Sequence, residues 1–408
     1  MAKHLGDPIA IIGGGVGGLT AALTLQHFGI PVVVFEQADE LREVGAGVTI
    51  TPNAMHALDF LGVGRQIVEA AGVAPRYEVC DAGDGRVLEL GPPPEDIPHN
   101  YGAQYCNVHR ADLQTALVEA VRSNDSGCIR LNHLFDHLEQ DDNGVTVHFT
   151  KGSSYRFAGV VGCDGGASRV RSVVFSDQDA SYTGQTAYRA LVPSNAVPPE
   201  ITANPYRLYV GNGKTLIHYA LRNGEMMNLL GVAIQPSWQD EGWSIPATPA
   251  EFLDLFADFP EPVRNLISAI PPDTLYKWGL RDRDPLQTWT RGRVTMLGDA
   301  AHPFLPFLGQ GACVAIEDGV VLGRAVAEAA DLIQGFYRYE AARKPRANGL
   351  QLASRDQARH HQGVAGGRPD PGNTAAARGL FTYNPATVPL ATRDEPSAHA
   401  IPLPTTHR

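Results

Sequence analysis

The stretch PIAIIGGGVGGLTAALTLQHFGIPVVVFE, from Pro8 to Glu36, decides the fold. Its first five residues are a short apolar run suited to a buried strand, Gly13 to Gly18 is a turn, and Leu19 to Phe28 reads as an amphipathic helix ended by Gly29. Val32 to Phe35 is a second strand, so the whole predicts a right-handed parallel βαβ unit. Gly13-x-Gly15-x-x-Gly18 sits at the strand-to-helix junction, and Glu36 ends the next strand 18 residues after Gly18. Glycines there let the backbone approach a pyrophosphate, the helix N-terminus attracts its charge, and the carboxylate accepts from ribose hydroxyls. An acidic residue at position 36 disfavours a 2′-phosphate, which leaves FAD or NAD as the nucleotide. Ile9 to Gln26 is uncharged and almost long enough to span a bilayer, but five glycines within Gly13 to Gly18 suit a strand and turn rather than a spanning helix.

Outward from this unit, 408 residues allow two or three compact units or one large enzyme domain. With 43% hydrophobic and 19% charged residues the chain is globular, and a net charge of −11 argues against a partner held through nucleic-acid phosphates. The five cysteines, Cys80, Cys106, Cys128, Cys163 and Cys313, include no C-x-x-C pair, which speaks against a disulfide framework or zinc site and for a reducing, cytoplasmic compartment. No secretory signal is legible at the start. Helices are predicted at Ala54 to Gly62, Ala111 to Ser123 and Ala312 to Ala330, and parallel-type strands at Val160 to Cys163 and Val294 to Leu297. Between Ser181 and Trp278 the character changes to aromatic-rich strands at Arg207 to Val210, Leu216 to Tyr219 and Met227 to Ala233, separated by turns at Gly211-Asn-Gly213 and Arg222-Asn-Gly224. That is an antiparallel sheet inserted into a nucleotide-binding fold.

Two further constellations stand downstream: Asp164-Gly165-Gly-Ala-Ser168-Arg-Val-Arg171, and Gly298-Asp299-Ala-Ala-His302-Pro-Phe-Leu-Pro306. With the glycine-rich turn they occur in the order DGxxSxVR after GxGxxG and GDAxHxxxP last. In this the chain resembles the single-component (group A) flavin-dependent aromatic hydroxylases, in the branch of salicylate hydroxylase and 6-hydroxynicotinate monooxygenase, over about Pro8 to Asn348. The resemblance implies an α/β fold: a Rossmann-like FAD-binding domain with a parallel sheet, an inserted antiparallel-sheet substrate domain, and C-terminal helices. It places the FAD-binding domain at 1–75, 100–180 and 279–330, the substrate domain at 76–99 and 181–278, a helical region at 331–362 and a loosely structured tail at 363–408. It implies a monooxygenase that uses FAD, transient NADH or NADPH, and O2 to hydroxylate a small phenolic or N-heteroaromatic acid through a flavin C4a-hydroperoxide. The enzyme would be a monomer or homodimer, without nucleic acid, membrane or metal.

The cofactor positions that the resemblance implies are Gly13, Gly15, Val16, Gly18, Glu36 and Gln37 at the nucleotide, Arg42, Ala46, Gly47 and Val48 in the loop passing the flavin ring, and Arg110, Phe135, Asp164 and Gly165. Asp299 would accept from a ribityl hydroxyl, and Gly309, Gln310, Gly311 and Ala312 would aim a helix N-terminus at the flavin. Asp164 has a second reading, as the cap of the turn that follows it. At the substrate, His218 is the candidate activating group, expected on the sheet face that covers the flavin, with Tyr219 on the opposite face and Pro306 in the motif. Thr49 and Phe307 stand where hydroxynicotinate- and salicylate-type relatives carry histidines, so the pocket is expected to be more apolar. Arg189 could meet a carboxylate or buttress the sheet. The segment Lys277-Trp278-x-Leu280-x-x-Arg283-x-Pro285 resembles the same branch and points to one-ring substrates. Alternatives are an epoxidase or other tailoring oxygenase on a larger scaffold, and a flavin-binding redox sensor without turnover.

Overall fold

A computed structural model of the protein describes residues 6–41, 47–175, 179–238, 242, 244–361 and 379–390. Strands Ile9–Ile12 and Val32–Phe35 run in parallel, Ile9 opposite Val32 and Ile12 opposite Phe35, joined by the helix Val16–His27. They belong to a six-stranded sheet in the order Thr290–Arg291, Val294–Met296, Gly159–Gly162, Ile9–Ile12, Val32–Phe35, Ile129–Arg130. All neighbours are parallel except the first pair. The strands are apolar on both faces because both are covered. Ile9 and Ile11 face the helices, while Ala10 and Ile12 face Phe135, Val145 and Phe149 of a three-stranded antiparallel sheet formed by 135–141, 144–149 and 154–157.

The helix Val16–His27 is buried around most of its circumference rather than amphipathic, because it is sandwiched between the sheet and the helix Gly311–Glu328. The contact is close: a Cβ on Gly323 would fall 2.4 Å from Thr24 Cγ2. Thr20 and Thr24 tolerate this burial by donating their hydroxyls to carbonyls one turn back, each at 2.7 Å.

An eight-stranded sheet holds the aromatic strands, with Lys214–Leu221 between Tyr206–Gly211 and Met226–Ile234. The hairpin at 211–214 closes with Asn212 (φ 54°) and Gly213 (φ 72°), the paired positive φ values of a tight two-residue turn. One face carries Tyr209, Leu216, Leu229 and Ala233 against the helices Pro249–Leu255 and Glu261–Ser268. The other turns Leu208, Thr215, Ile217, Leu230 and Val232 toward the nucleotide-binding layer. Arg222 joins the layers by gripping Asp112 with two bonds of 2.8 Å.

The chain then forms the 30-residue helix Leu332–His361. Of the tail expected to be loose, residues 379–390 pack tightly: Leu380, Phe381 and Tyr383 are buried, and Arg346 lies 3.9 Å from the centre of the Tyr383 ring. The rest of that tail falls outside the described residues. Among those, no helix is long and apolar enough to cross a membrane.

Candidate active site

The glycine-rich turn separates two duties among its glycines. Gly13 has φ +112°, and a Cβ on Gly18 would lie 2.1 Å from Gly13 O, so both are required by the turn and the helix packing. Gly15 is different: its backbone is extended, it is the N-cap of the helix, and a Cβ there would meet nothing within 4 Å. Open space therefore lies over a helix N-terminus whose first N–H groups lack intrahelical partners. Beside it Glu36 accepts from Gly14 N at 2.8 Å and Ala38 N at 2.9 Å, with lone pairs left for further donors.

Asp164 accepts from Ser168 Oγ at 2.5 Å and from the backbone N of Arg169 and Val170 at 2.7 and 3.0 Å. It caps the helix Arg169–Phe175, the second of the two readings open for it. Gly165 next to it (φ +78°) is again open, with nothing within 4 Å of a Cβ. Arg171, almost fully buried, donates to Gly166 O at 2.6 Å and Ala300 O at 2.8 Å and so clamps the second motif onto the third. Asp299 is accessible to solvent yet crowded by protein, as in a recess; that crowding raises its carboxyl pKa against the pull of His302, Arg110 and Arg171. The structure thus brings Arg110 and Asp299, 189 residues apart in sequence, to one place.

The helix Gly311–Glu328 starts beyond Gly309 (φ +62°, open above) and Gln310, with no acidic residue in its first turn and no side-chain cap. Its N–H groups are left to a ligand, and they favour negative charge there. A buried polar network fixes this end. Gln310 meets Asn53 Nδ2 at 3.1 Å and Thr51 Oγ1 at 3.1 Å, and Asn53 donates to Glu317 at 2.6 Å. Glu317 pairs with Arg343 (2.7 Å) and Arg346 (2.9 Å), while Asp318 binds Arg343 (2.7 Å), His302 (2.5 Å) and Gly298 N (3.1 Å). Burial alone would raise both carboxyls, but the cations win and hold them low, Asp318 at about 2. His302 is a support of this platform, fully buried.

Between this helix end and the eight-stranded sheet lies a cavity of about 170 Å³. Thr49, Pro306 and Phe307 line it as expected positions, together with Tyr105, Tyr206, Gln357, His361 and Phe381, which sequence reasoning missed. Tyr105 Oη and Tyr206 Oη are 2.7 Å apart, and burial raises both phenol pKa values. His361 is held down to about 4 by burial and by the neighbouring His360, and its Nε2 contacts the Gln357 amide at 2.5 Å. The wider groove walled by Arg293 and Leu332 includes no residue of the glycine-rich turn.

Two expectations change. His218 pairs with Arg207 and Leu229 and faces the helices behind the sheet, its ring against Tyr209; burial and Arg207 push its pKa down to about 3. It is Tyr219 that faces the cofactor side, so tightly that a Cβ on Gly47 would lie 2.4 Å from its ring. Gly47 N donates to Asn228 Oδ1 at 2.9 Å, and Arg189 donates to Gly47 O, buttressing this loop. Val48 packs on the main core. Phe135 is a core side chain in the same buried cluster as Phe35 and Phe149, Val16 is buried at the helix start, and Gln37 is exposed. Gly311 and Ala312 form the half-buried first turn of their helix. Arg42 and Ala46 lie outside the described residues.

The open cradle over Gly15, Gly165 and Gly309, with Glu36 at one end and Asp299 in its recess, fits FAD. The family described as FAD binding domain matches residues 7–353. The chain is 36% identical over 361 residues to a 3-hydroxybenzoate 6-hydroxylase of Polaromonas naphthalenivorans, covering 88% of this chain and 89% of that protein. It is 32% identical over 355 residues to a 6-hydroxynicotinate 3-monooxygenase of Bordetella bronchiseptica, covering 85% and 90%. Among solved structures it is similar to Klebsiella pneumoniae HpxO complexed with FAD and uric acid, with a TM-score of 0.79, 28% identity and coverage of 93% and 94%. Because the family match runs through every element that shapes the cradle, this chain belongs to the FAD binding domain family and is a flavin-dependent aromatic hydroxylase.

Proposed function

We propose that the protein hydroxylates a one-ring phenolic or N-heteroaromatic acid, with NADH or NADPH as reductant and O2 as oxygen source. The observation that carries the substrate class is the cavity: about 170 Å³ is below the roughly 300–1,000 Å³ of sites for drug-sized ligands, and favours a single substituted ring over a larger scaffold. Relatives named for hydroxybenzoate and hydroxynicotinate support the same class. Bound FAD supplies the redox chemistry that activates oxygen. Gly15 and the helix N-terminus at Val16 would hold its pyrophosphate, Glu36 a ribose, and Asp299 and Arg110 the middle of the molecule, while the start of the 311–328 helix favours negative charge on the ring.

On the substrate side, Phe307, Ile217, Leu230 and Phe381 exclude water around the ring, and the hydroxyls of Thr49, Thr51 and Thr215 offer neutral polar contacts. Tyr206 Oη, held by its hydrogen bond to Tyr105 Oη, can orient the substrate's phenolic oxygen by a neutral hydrogen bond, and burial raises both phenol pKa values so that the pair stays un-ionised while it does so. His361, kept neutral, leaves this wall uncharged. Five unpaired cysteines support a cytoplasmic location, and we place the working enzyme as a monomer or homodimer.

The test is NAD(P)H oxidation by the FAD-loaded protein across hydroxybenzoates, aminohydroxybenzoates and hydroxypyridine carboxylates, with product identification. Stoichiometric hydroxylated product from a one-ring acid is expected. Peroxide release alone with every one-ring compound, or turnover confined to multi-ring substrates, would overturn the substrate class.

A further inference from the structure

We infer that Asn228 and Arg189 are positioning residues that clamp a single peptide, at Gly47, and thereby keep the cofactor recess and the substrate cavity in register during hydroxylation. Three neighbouring strands of the eight-stranded sheet converge on that glycine. Arg189 comes from Ser181–Pro193, Asn228 from Met226–Ile234 and Tyr219 from Lys214–Leu221. Asn228 stands opposite Tyr219 on one side and Leu191 on the other, and Arg189 is one pleat from Leu191. All three side chains therefore share the face turned toward the nucleotide-binding layer.

The peptide is held at both of its polar groups. Asn228, fully buried, accepts from Gly47 N at 2.9 Å through Oδ1, and Arg189 donates to Gly47 O. Tyr219 closes over the Cα so tightly that only glycine fits, and it interacts in turn with Arg189 and Thr49.

What Gly47 begins gives the clamp its importance. The strand Gly47–Ile50 pairs with Cys106–His109, which sets Gly47 opposite His109, the neighbour of Arg110 at the Asp299 recess. Two residues on, Thr49 lines the cavity, and Thr51 meets Gln310 at the start of the 311–328 helix. One strand thus walls both compartments, and its first residue is the one that is gripped. Release would shift the cavity wall against the recess, and NAD(P)H and O2 would end as NAD(P)+ and peroxide rather than as NAD(P)+, hydroxylated product and water.

Resting on hydroxylation but not on the one-ring substrate class, the clamp is tested in the FAD-loaded protein. Asn228→Leu keeps the branched shape and removes the acceptor, whereas Asn228→Asp keeps the acceptor. Asn228 Nδ2 has no hydrogen-bond partner among the described residues, so the aspartate forfeits no bond. Hydrogen exchange read by mass spectrometry should quicken over 47–51 roughly fivefold or more in Asn228→Leu, the shift set by one stranded buried N–H, and stay near the parent rate in Asn228→Asp. Product formed per NAD(P)H should fall by a similar factor in Asn228→Leu and not in Asn228→Asp, measured on whichever aromatic compound the parent hydroxylates best. Because turnover chooses that compound, an error in substrate class leaves this test standing. Arg189→Met, at a half-buried position, should repeat both losses and carries the test if Asn228→Leu does not fold. Unchanged exchange, unchanged coupling, or an Asn228→Asp protein as impaired as Asn228→Leu would overturn the clamp.

Discussion

Gly15→Ala tests the cradle directly, because the added methyl enters space that no protein atom occupies. Nothing lies within 4 Å of a Cβ there, and the backbone (φ −74°, ψ 178°) is one that alanine adopts freely. The apoprotein should therefore lose under ~1 kcal/mol, the scale of an N-cap change. A phosphate approaching the helix N-terminus would instead be pushed back by about the 1.5 Å of a carbon–carbon bond. Two backbone N–H bonds to charged oxygens, each contributing about 1.5–3 kcal/mol, would be lost. The sum, about 3–6 kcal/mol, corresponds to roughly 10²–10⁴-fold in the Kd for FAD. Titrating apoprotein with FAD while following flavin fluorescence measures it, and circular dichroism melting of the apoprotein checks the fold. Gly18→Ala is the contrast: its Cβ would sit 2.1 Å from Gly13 O, so that variant should fail in folding rather than selectively in binding. A Gly15→Ala protein that binds FAD within threefold of the parent would refute the reasoning.

Three other outcomes are expected. The Asp318 carboxyl, held at about 2, contributes about 2 kcal/mol above the unfolded carboxylate pKa near 4, lost as pH falls toward 2. Asp318→Asn should therefore lower Tm at neutral pH and flatten its fall between pH 4 and 2, and parallel Tm–pH curves for the two proteins would count against this. His218→Ala should cost roughly 2–4 kcal/mol through the void it leaves beside Tyr209 and Leu229, while the product formed per NAD(P)H stays unchanged, because the ring faces away from the cavity. Tyr206→Phe strands the Tyr105 hydroxyl, a cost of about 1–3 kcal/mol, and should lower hydroxylation about tenfold while NAD(P)H oxidation continues with peroxide release; unchanged coupling would remove the pair from the reaction.

What was legible in the chain follows from distance along it. The strand–turn–helix at Pro8 to Glu36 is local, so its period and its glycines suffice, and Glu36 sits beside the turn, where it accepts from Gly14 N. Asp299 and Gln310 were readable because their motif combines a strand end with a helix start. The orientation of the 214–221 strand was not. Alternation separates His218 from Tyr219, but both faces of this sheet are covered, one by helices and one by the cavity wall, so alternation alone cannot tell which is which. Tyr105, Tyr206, His361 and Phe381 come from four separate segments and carry no local pattern. The acids Glu317 and Asp318 did leave a trace, a charged pair inside the otherwise apolar stretch 312–323, yet their partners Arg343 and Arg346 sit on another helix and become meaningful only in the folded protein.

The helix Leu332–His361 serves two masters along one continuous element. Arg343 and Arg346 lock the platform on which the prosthetic group would rest, whereas Gln357 and His361 shape the wall that the substrate would touch. From Arg346 to Gln357 is 11 residues, roughly 16 Å at 1.5 Å per residue. Laboratory evolution can thus rewrite the final turn to retarget the enzyme without loosening its foundation. Inserting a single residue between the two stations would be another matter, swinging the distal turn by about 100° and carrying both side chains out of register with the pocket.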